Sequence, residues 1–438
     1  MSKSNKNSNE KTSKIYLDYA ASVAPNPSSI HEFGLNAKKK LDSARRDVAD
    51  ILNARAEEII FTSGGTESNN LALQGVVLAW HEKNQEKRGG KNLPHIITTN
   101  IEHPSVLETI KLLKKRKLAQ ISIVPVESNG IVSPKKIKKE IKGNTILVSV
   151  MYANNEIGTI QPVREIAKEI RHYNKKNEKR KVFERSGWGR DPGNRGPEKT
   201  LPFRVFFHTD AVQAANYLDL NVERLGADLL TLSGSKIEGA GRVGVLYKRK
   251  SVPLANIFGG GDQEYGFRPG TENLPEIIKF SKAMEVVREI NEKEMKRQMQ
   301  LRNYFFDKLR KTFFFSGPRF PGVPTPARPF KKESFAEFII NGDLLNRLPN
   351  NVNITIPKIP SDLLVIELSA RGIMASAKSA CKSSSAEGSY VIKALRPESD
   401  SEIGGVRFSL GRQTKKKDID YTVKALSEIL DKLKKWYG

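Results

Sequence analysis

Two side chains in this 438-residue sequence sit in surroundings suited to covalent chemistry. Lys236 follows Ser233, Gly234 and Ser235 at the end of the apolar run DLLTL, a small-residue turn that could hold an amine against a ligand. A lysine is otherwise ordinary solvated surface. Cys381, the only cysteine, lies in SAKSACKSSS with Lys378 and Lys382 beside it and no flanking apolar residue larger than alanine. Adjacent cations favour the nucleophilic thiolate, so the pattern points to an exposed reactive loop rather than a buried thiol. In IIFTSGGTESNNLAL a strand runs into Gly64, Gly65 and Thr66 and then a helix, where close backbone approach and unpaired N–H groups suit a phosphate. The spacing is neither a P-loop nor a dinucleotide fingerprint, and an ordinary strand-to-helix turn has the same composition. Asp210 in RVFFHTDAVQ stands at the carboxyl end of a strand, where open α/β sheets place ligands and where a helix-capping aspartate would also sit.

Groups of this kind need rigid elements behind them. Short β-branched runs at 58–62, 95–99, 121–126, 145–151, 204–208, 228–232 and 243–247 alternate with amphipathic stretches, which predicts βα units and a mostly parallel sheet of seven strands. From Leu274 to about Phe313 the period becomes helical. Beyond it, VNITI, GIMAS and VRFSL alternate with helices from Ser361, near Tyr390 and from Lys415, the pattern of a smaller α+β unit. The resulting plan is a polar, disordered tail over 1–14, a large domain over 15–273, and a linking helix with a small domain over 274–438. Two Gly/Pro/Arg-rich stretches, 184–204 and 313–334, read as flexible surface insertions, or as partner-binding loops.

With 38% hydrophobic and 28% charged residues the chain can bury a large core, which excludes collagen-like and wholly disordered classes. No stretch of 18 apolar residues predicts a membrane span. One cysteine excludes an intramolecular disulfide and a cysteine-based zinc site, and fits a reducing cytoplasm. The formal net charge of +25 would attract nucleic acid or acidic proteins, or serve solubility alone.

Ten blocks, in this order, resemble the NifS-like cysteine desulfurases of the class V aminotransferases, which are pyridoxal-phosphate enzymes. They are YLDYAA, NPSSIHEFG, FTSGGTESNNLAL, TNIEHPSVL, VSVMYANNEIGTIQPV, HTDAVQ, LSGSK, GGGDQEYGFRPGTEN, KSACKSSS and VRFSLGR. The resemblance implies a fold type I homodimer whose large domain holds the cofactor and whose small domain carries Cys381. Lys236 would bind the cofactor aldehyde covalently, and Asp210 would keep the pyridine nitrogen protonated so that the ring draws electrons from the substrate Cα. His103 would stack on the ring and Gln213 would hydrogen-bond its oxygen. Thr66, the Gly65 amide, Ser233 and Ser235 would hold the phosphate, joined by Thr271 from the second subunit. Asn155 and Arg407 would grip the substrate carboxylate, Arg407 in a bidentate pair. The implied reaction takes L-cysteine, uses Lys236 as general base and Cys381 as sulfur acceptor, and gives L-alanine and a persulfide. A scaffold for iron–sulfur clusters or a tRNA-thiolating enzyme would receive the sulfur. No metal is expected.

Four features depart from the family's pattern: Ser235 replaces the usual histidine before the lysine, Lys378 replaces a glycine, the chain is short between Ala21 and Asn26, and IEGAGR follows Lys236. Related selenocysteine lyases and β-eliminating enzymes share the lysine and phosphate site. The loop cysteine favours desulfuration over these; the rivals of other classes are a cofactor-binding or scaffold protein that delivers no sulfur itself and a basic RNA-associated protein.

Overall fold

The computed structural model describes residues 15–84, 93–185, 204–315, 337–377, 388–398 and 404–437. Eleven strands are formed among them: β1 (Ile59–Thr62), β2 (His95–Thr99), β3 (Gln120–Val124), β4 (Thr145–Ser149), β5 (Phe206–Asp210), β6 (Leu229–Ser233), β7 (Gly244–Lys248), β8 (Phe314–Phe315), β9 (Glu337–Ile340), β10 (Asn351–Thr355) and β11 (Val406–Ser409). The helices are α1 (Glu32–Leu52), α2 (Gly65–Asn84), α3 (Pro104–Lys115), α4 (Pro134–Glu140), α5 (Val163–Arg185), α6 (Val222–Leu225), α7 (Leu274–Thr312), α8 (Ser361–Ser369), α9 (Tyr390–Leu395) and α10 (Lys416–Tyr437).

The seven-stranded sheet expected from the sequence is present, in the order β1-β7-β6-β5-β4-β2-β3. Strands β2 to β6 pair in parallel, and β7 runs antiparallel to both neighbours. Successive residues of a strand face opposite sides, so the continuous apolar runs serve two cores at once. Ile60, Ile96, Leu147, Phe206 and Leu229 pack under α2 and α3. Their neighbours Phe61, Ile97, Val148, Phe207 and Leu230 pack under α1, α4, α5 and the first half of α7. A second sheet, β11-β10-β9-β8, builds its own core with α8, α10 and the second half of α7.

Four details differ from the sequence plan. The 39-residue α7 puts Phe280 and Met284 into the large core but Phe305 and Phe306 into the small one, so a boundary at 273/274 falls beside a helix that both cores share. Helix α9 packs Val391, Ile392 and Leu395 on the large sheet although it lies within 274–438. Phe313 is buried in the small core and residues 314–315 form a strand, so the second insertion begins after them; apolar packing outweighed the composition of the stretch. GIMAS forms no strand: Ser376 alone bridges to Arg407. Glu184 and Arg185 end α5, and the rest of the first insertion up to residue 203, most of the second, and the tail lie outside the described residues.

A buried ion pair fastens the glycine-rich loop to this frame. Arg45 of α1 donates from both terminal nitrogens to Glu264 at 2.7 Å, and Glu264 also accepts the Phe61 N–H at 2.9 Å. Glu264 and its neighbour Tyr265 have φ of 48° and 60°, a left-handed backbone that costs non-glycine residues energy, and the pair holds them there.

Candidate active site

Parallel strands deliver the turns that follow them to one edge of the sheet. Ten of the twelve residues singled out from the sequence line one cavity of about 570 Å³ at that edge: Gly65, Thr66, His103, Asn155, Asp210, Gln213, Ser233, Ser235, Lys236 and Arg407. Thr271 is exposed and does not line it. Cys381 and its neighbours Lys378 and Lys382 lie outside the described residues.

One end of the cavity is built for an anion. Strand β1 stops at Thr62 and α2 starts at Gly65, which leaves the first amides of α2 without intrahelical partners. A Cβ on Gly65 would lie 3.0 Å from Val212 and 3.3 Å from Ser233, a tight approach that a larger residue could take only by pushing those side chains aside. Strand β6 ends at Ser233, and the single helical turn Gly234–Lys236 brings the Ser233 and Ser235 hydroxyls within 3.0 Å of each other, with Lys236 exposed beside them.

The middle is a fixed acid and a fixed imidazole. Asp210, last in β5 and 5% exposed, accepts from the Val212 N–H at 3.0 Å and from the Asn69 amide at 2.7 Å. The Asn69 Nδ2 also donates to Ser105 Oγ at 2.8 Å, and that hydroxyl lies 2.8 Å from His103 Nδ1. His103 caps α3, its Nδ1 accepting the Ser105 N–H. Burial lowers the pKa of the ring, against the pull of Asp210 and with the push of Lys236. The neutral ring therefore carries its proton on Nε2. Asn69 and Ser105 were not singled out from the sequence; two adjacent polar residues, Ser68 and Asn69, inside an otherwise apolar helix face were the available signal.

Beneath His103 lies a second carboxyl that the sequence did not reveal. Glu102 is fully buried, accepts from Thr99 Oγ1 at 2.7 Å and from the Met151 N–H at 3.0 and 3.1 Å, and burial pushes its pKa up to about 8.

The far end joins the two sheets. Asn154 folds the turn after β4 by accepting the N–H groups of Glu156 and Ile157. Asn351 and Asn353 of β10 both donate to the Glu156 carbonyl at 3.0 Å, and Arg407 of β11 donates to the Asn155 carbonyl at 2.8 Å. Arg407 Nε and Asn155 Oδ1 are buried there without a hydrogen-bond partner among the described residues. Burial lowers the pKa of the guanidinium, with Glu156 opposing.

A family model described as aminotransferase class-V matches residues 2–176 and 202–316. The chain belongs to that family, among its cysteine desulfurases. It is 35% identical to cysteine desulfurase IscS of Dictyoglomus turgidum, over 96% of this chain and 95% of that one. A solved NifS-like protein superposes with a TM-score of 0.73 at 30% identity, covering 93% of this chain and 92% of the other. A structure described as SspA in complex with cysteine gives a TM-score of 0.62 at 28% identity, over 88% and 90% of the two chains. The architecture is thus the fold type I of the pyridoxal-phosphate enzymes.

The residues present fit that cofactor. The α2 amides, Thr66, Ser233 and Ser235 offer donors for a phosphate, Asp210 is a carboxylate fixed on two sides, and Lys236 supplies the amine. Among the described residues no group of three or more His, Cys, Asp or Glu is arranged to hold a metal ion, and no helix is long and apolar enough to cross a membrane.

Proposed function

We propose that this chain is a pyridoxal-phosphate-dependent cysteine desulfurase that converts L-cysteine to L-alanine and leaves the sulfur as a persulfide on Cys381. The observation that carries this reading is the pair of unsatisfied buried atoms on Arg407 and Asn155, two residues that line the cavity together with Lys236 and Asp210. Arg407 Nε is a donor in want of an anion, and Asn155 Oδ1 an acceptor in want of an N–H. An α-amino acid brings a carboxylate for the first and places its nitrogen substituent near the second. L-cysteine is the choice supported by the desulfurase relatives and by the likeness to a protein solved with cysteine.

Bound against Asp210, pyridoxal phosphate supplies an electron sink for charge that develops at the substrate Cα. The chain does the rest. Arg407 orients the substrate through its carboxylate. Lys236 would hold the cofactor through its amine, and its Nζ would act as the general base that moves the Cα proton. Asn69 keeps Asp210 and Ser105 in register, and the Ser105 N–H keeps the His103 proton on Nε2. The Cys381 thiolate attacks the substrate sulfur: its S–S bond forms as the C–S bond breaks, and Cβ takes a proton to become the methyl of alanine. Thiol and cysteine thus become persulfide and alanine, with no external oxidant or reductant.

The same proposal includes a homodimer in the cytoplasm. Thr271 is exposed and does not line the cavity of its own subunit, and Ile15, Leu17, Val23 and Ile30 expose apolar side chains in the segment before α1, each in keeping with cover by a partner subunit. The persulfide would pass to an acceptor, either a scaffold for iron–sulfur clusters or a tRNA-thiolating enzyme. The test is to incubate the purified, cofactor-loaded protein with L-cysteine and measure alanine by amino-acid analysis and persulfide on Cys381 by alkylation and mass spectrometry. Equal alanine and persulfide in the first turnover, with no persulfide in Cys381→Ser, is the expected result. Sulfide and pyruvate in place of alanine would mark a β-eliminating lyase.

A further inference from the structure

The +25 charge is not spread evenly. The segments 111–117, 135–142 and 171–178 together hold thirteen Lys and Arg against two Glu, almost half of the net excess. The fold brings all three to one place. Residues 111–117 end α3 and lead into β3, 135–142 run through α4 toward β4, and 171–178 lie in the later part of α5, which leads toward β5. Because β3, β2, β4 and β5 are parallel, the segments meet at the amino-terminal edge of the sheet, opposite the edge that carries Asp210, Ser233 and Asn155. Two hydrogen-bonded links confirm the meeting. Asn144 donates to Leu93 O at 2.8 Å and to Gln120 Oε1 at 3.2 Å, and the Tyr173 hydroxyl donates to Lys142 O at 3.1 Å.

We infer that this edge is a binding surface for the phosphate backbone of a nucleic acid. Many surface cations elsewhere pair with acids, as in Arg224 with Asp219, Arg249 with Glu223, Lys308 with Asp420 and Lys432 with Glu367, and at this edge Lys111, Lys136 and Lys138 pair with Glu108, Glu127 and Glu169. At this edge Lys114, Lys115, Lys139, Lys142, Lys175 and Lys176 are exposed and form no ion pair among the described residues. The helix dipoles do not account for them: a helix C-terminus carries about half a negative charge, whereas the end of α3 alone is followed by Arg116 and Lys117 in addition to Lys114 and Lys115. The chemistry also separates nucleic acid from an acidic protein. Protein interfaces centre on apolar and aromatic side chains with charges at the rim, and within the three segments no large apolar side chain is exposed; the nearest is Ile123, within the edge strand β3. A row of hydrated point charges without such a centre suits phosphates, which are read by charge and not by base sequence.

The test uses the full-length, cofactor-loaded protein and a fluorescein-labelled single-stranded RNA of mixed sequence, with anisotropy read from about 50 to 200 mM salt. The wild type should bind with an affinity that falls steeply with salt, since each neutralised phosphate of a single strand contributes a slope of roughly 0.7 in log K against log salt. The variant K114Q/K115Q/K142Q/K175Q/K176Q should lose roughly 3 of that slope and about a hundred-fold in affinity at 200 mM salt. Its cofactor absorbance and its alanine production from L-cysteine should match the wild type, which shows that the fold is intact. No RNA binding by the wild type at 50 mM salt would overturn the inference, as would a variant with an unchanged slope. Displacement of the RNA by poly-L-glutamate at equal charge concentration would overturn it in favour of an acidic protein.

Discussion

The two ends of the catalytic cavity are built on different principles. At the cofactor end Asp210, the Asn69 amide nitrogen, Ser105 and His103 form one hydrogen-bonded chain within one sheet and its helices, and Asn69 Oδ1 alone in that chain lacks a partner among the described residues. At the substrate end, Arg407 comes from the other sheet and keeps a buried donor unsatisfied beside the unsatisfied oxygen of Asn155. The first end is preorganised for a group that stays; the second holds its pairing capacity for one that comes and goes. An unpaired buried polar group costs roughly 1–3 kcal/mol, so the strain is placed where a ligand relieves it at each turnover.

Substitutions can break this contrast. Lys236→Ala removes the one group that serves both ends; alanine formation should drop at least about a thousand-fold, and borohydride reduction should no longer fix cofactor to the protein by mass. Arg407→Gln should act on the substrate end alone, raising KM for L-cysteine about a hundred-fold through loss of charge-assisted bonds, with the affinity for cofactor unchanged in a fluorescence titration. Asn69→Ala should do the converse. Freeing Asp210 and Ser105 from their shared amide should weaken cofactor binding about ten-fold and leave KM for L-cysteine nearly constant; an equal change in both would mean that the ends are not separable.

Glu102 sharpens the contrast with the smallest effect, visible only against pH. Its folded pKa of about 8 lies above the ordinary 4.5, so between those values the native state holds a proton that the unfolded chain releases. The stabilisation is complete below about pH 4.5 and is lost as pH rises through 8. Glu102→Gln, which keeps the shape without the titration, should flatten the decline of the denaturation midpoint over that window while turnover at neutral pH changes little. A midpoint that falls with pH as steeply in the variant would assign the decline to other groups.

Much of this arrangement was legible in the sequence, because buried parallel strands are continuous apolar runs and the ligand-bearing turns follow them directly. HIITT is β2 residue for residue, the turns after β2 and β4 supply His103 and Asn155, and the last residues of β5 and β6 are Asp210 and Ser233. What stayed hidden depends on partners distant in the chain. Asn69 matters because it reaches Ser105 and Asp210, 36 and 141 residues away. Glu264 is an unremarkable acid until Arg45 meets it across 219 residues, and truncating either would strand a buried charge at a cost of about 3–5 kcal/mol. Composition misled where it met packing: Phe313 looks like the start of a Gly/Pro-rich loop, yet it closes the core beneath β9.

Helix α7 also sets a timetable for biosynthesis. Its second half leaves the ribosome with Leu301, Phe305 and Phe306 ready to be covered, but β11, whose Phe408 meets Phe305, and α10, which packs along α7, follow only after residue 405. At about 5–20 residues per second the apolar stripe waits roughly 5–20 s, while the sheet that holds the cofactor has already been delivered through β7. Nascent chains should therefore acquire the capacity to retain cofactor before they can bind an amino acid, and the interval between the two is the period in which a chaperone has something to hold.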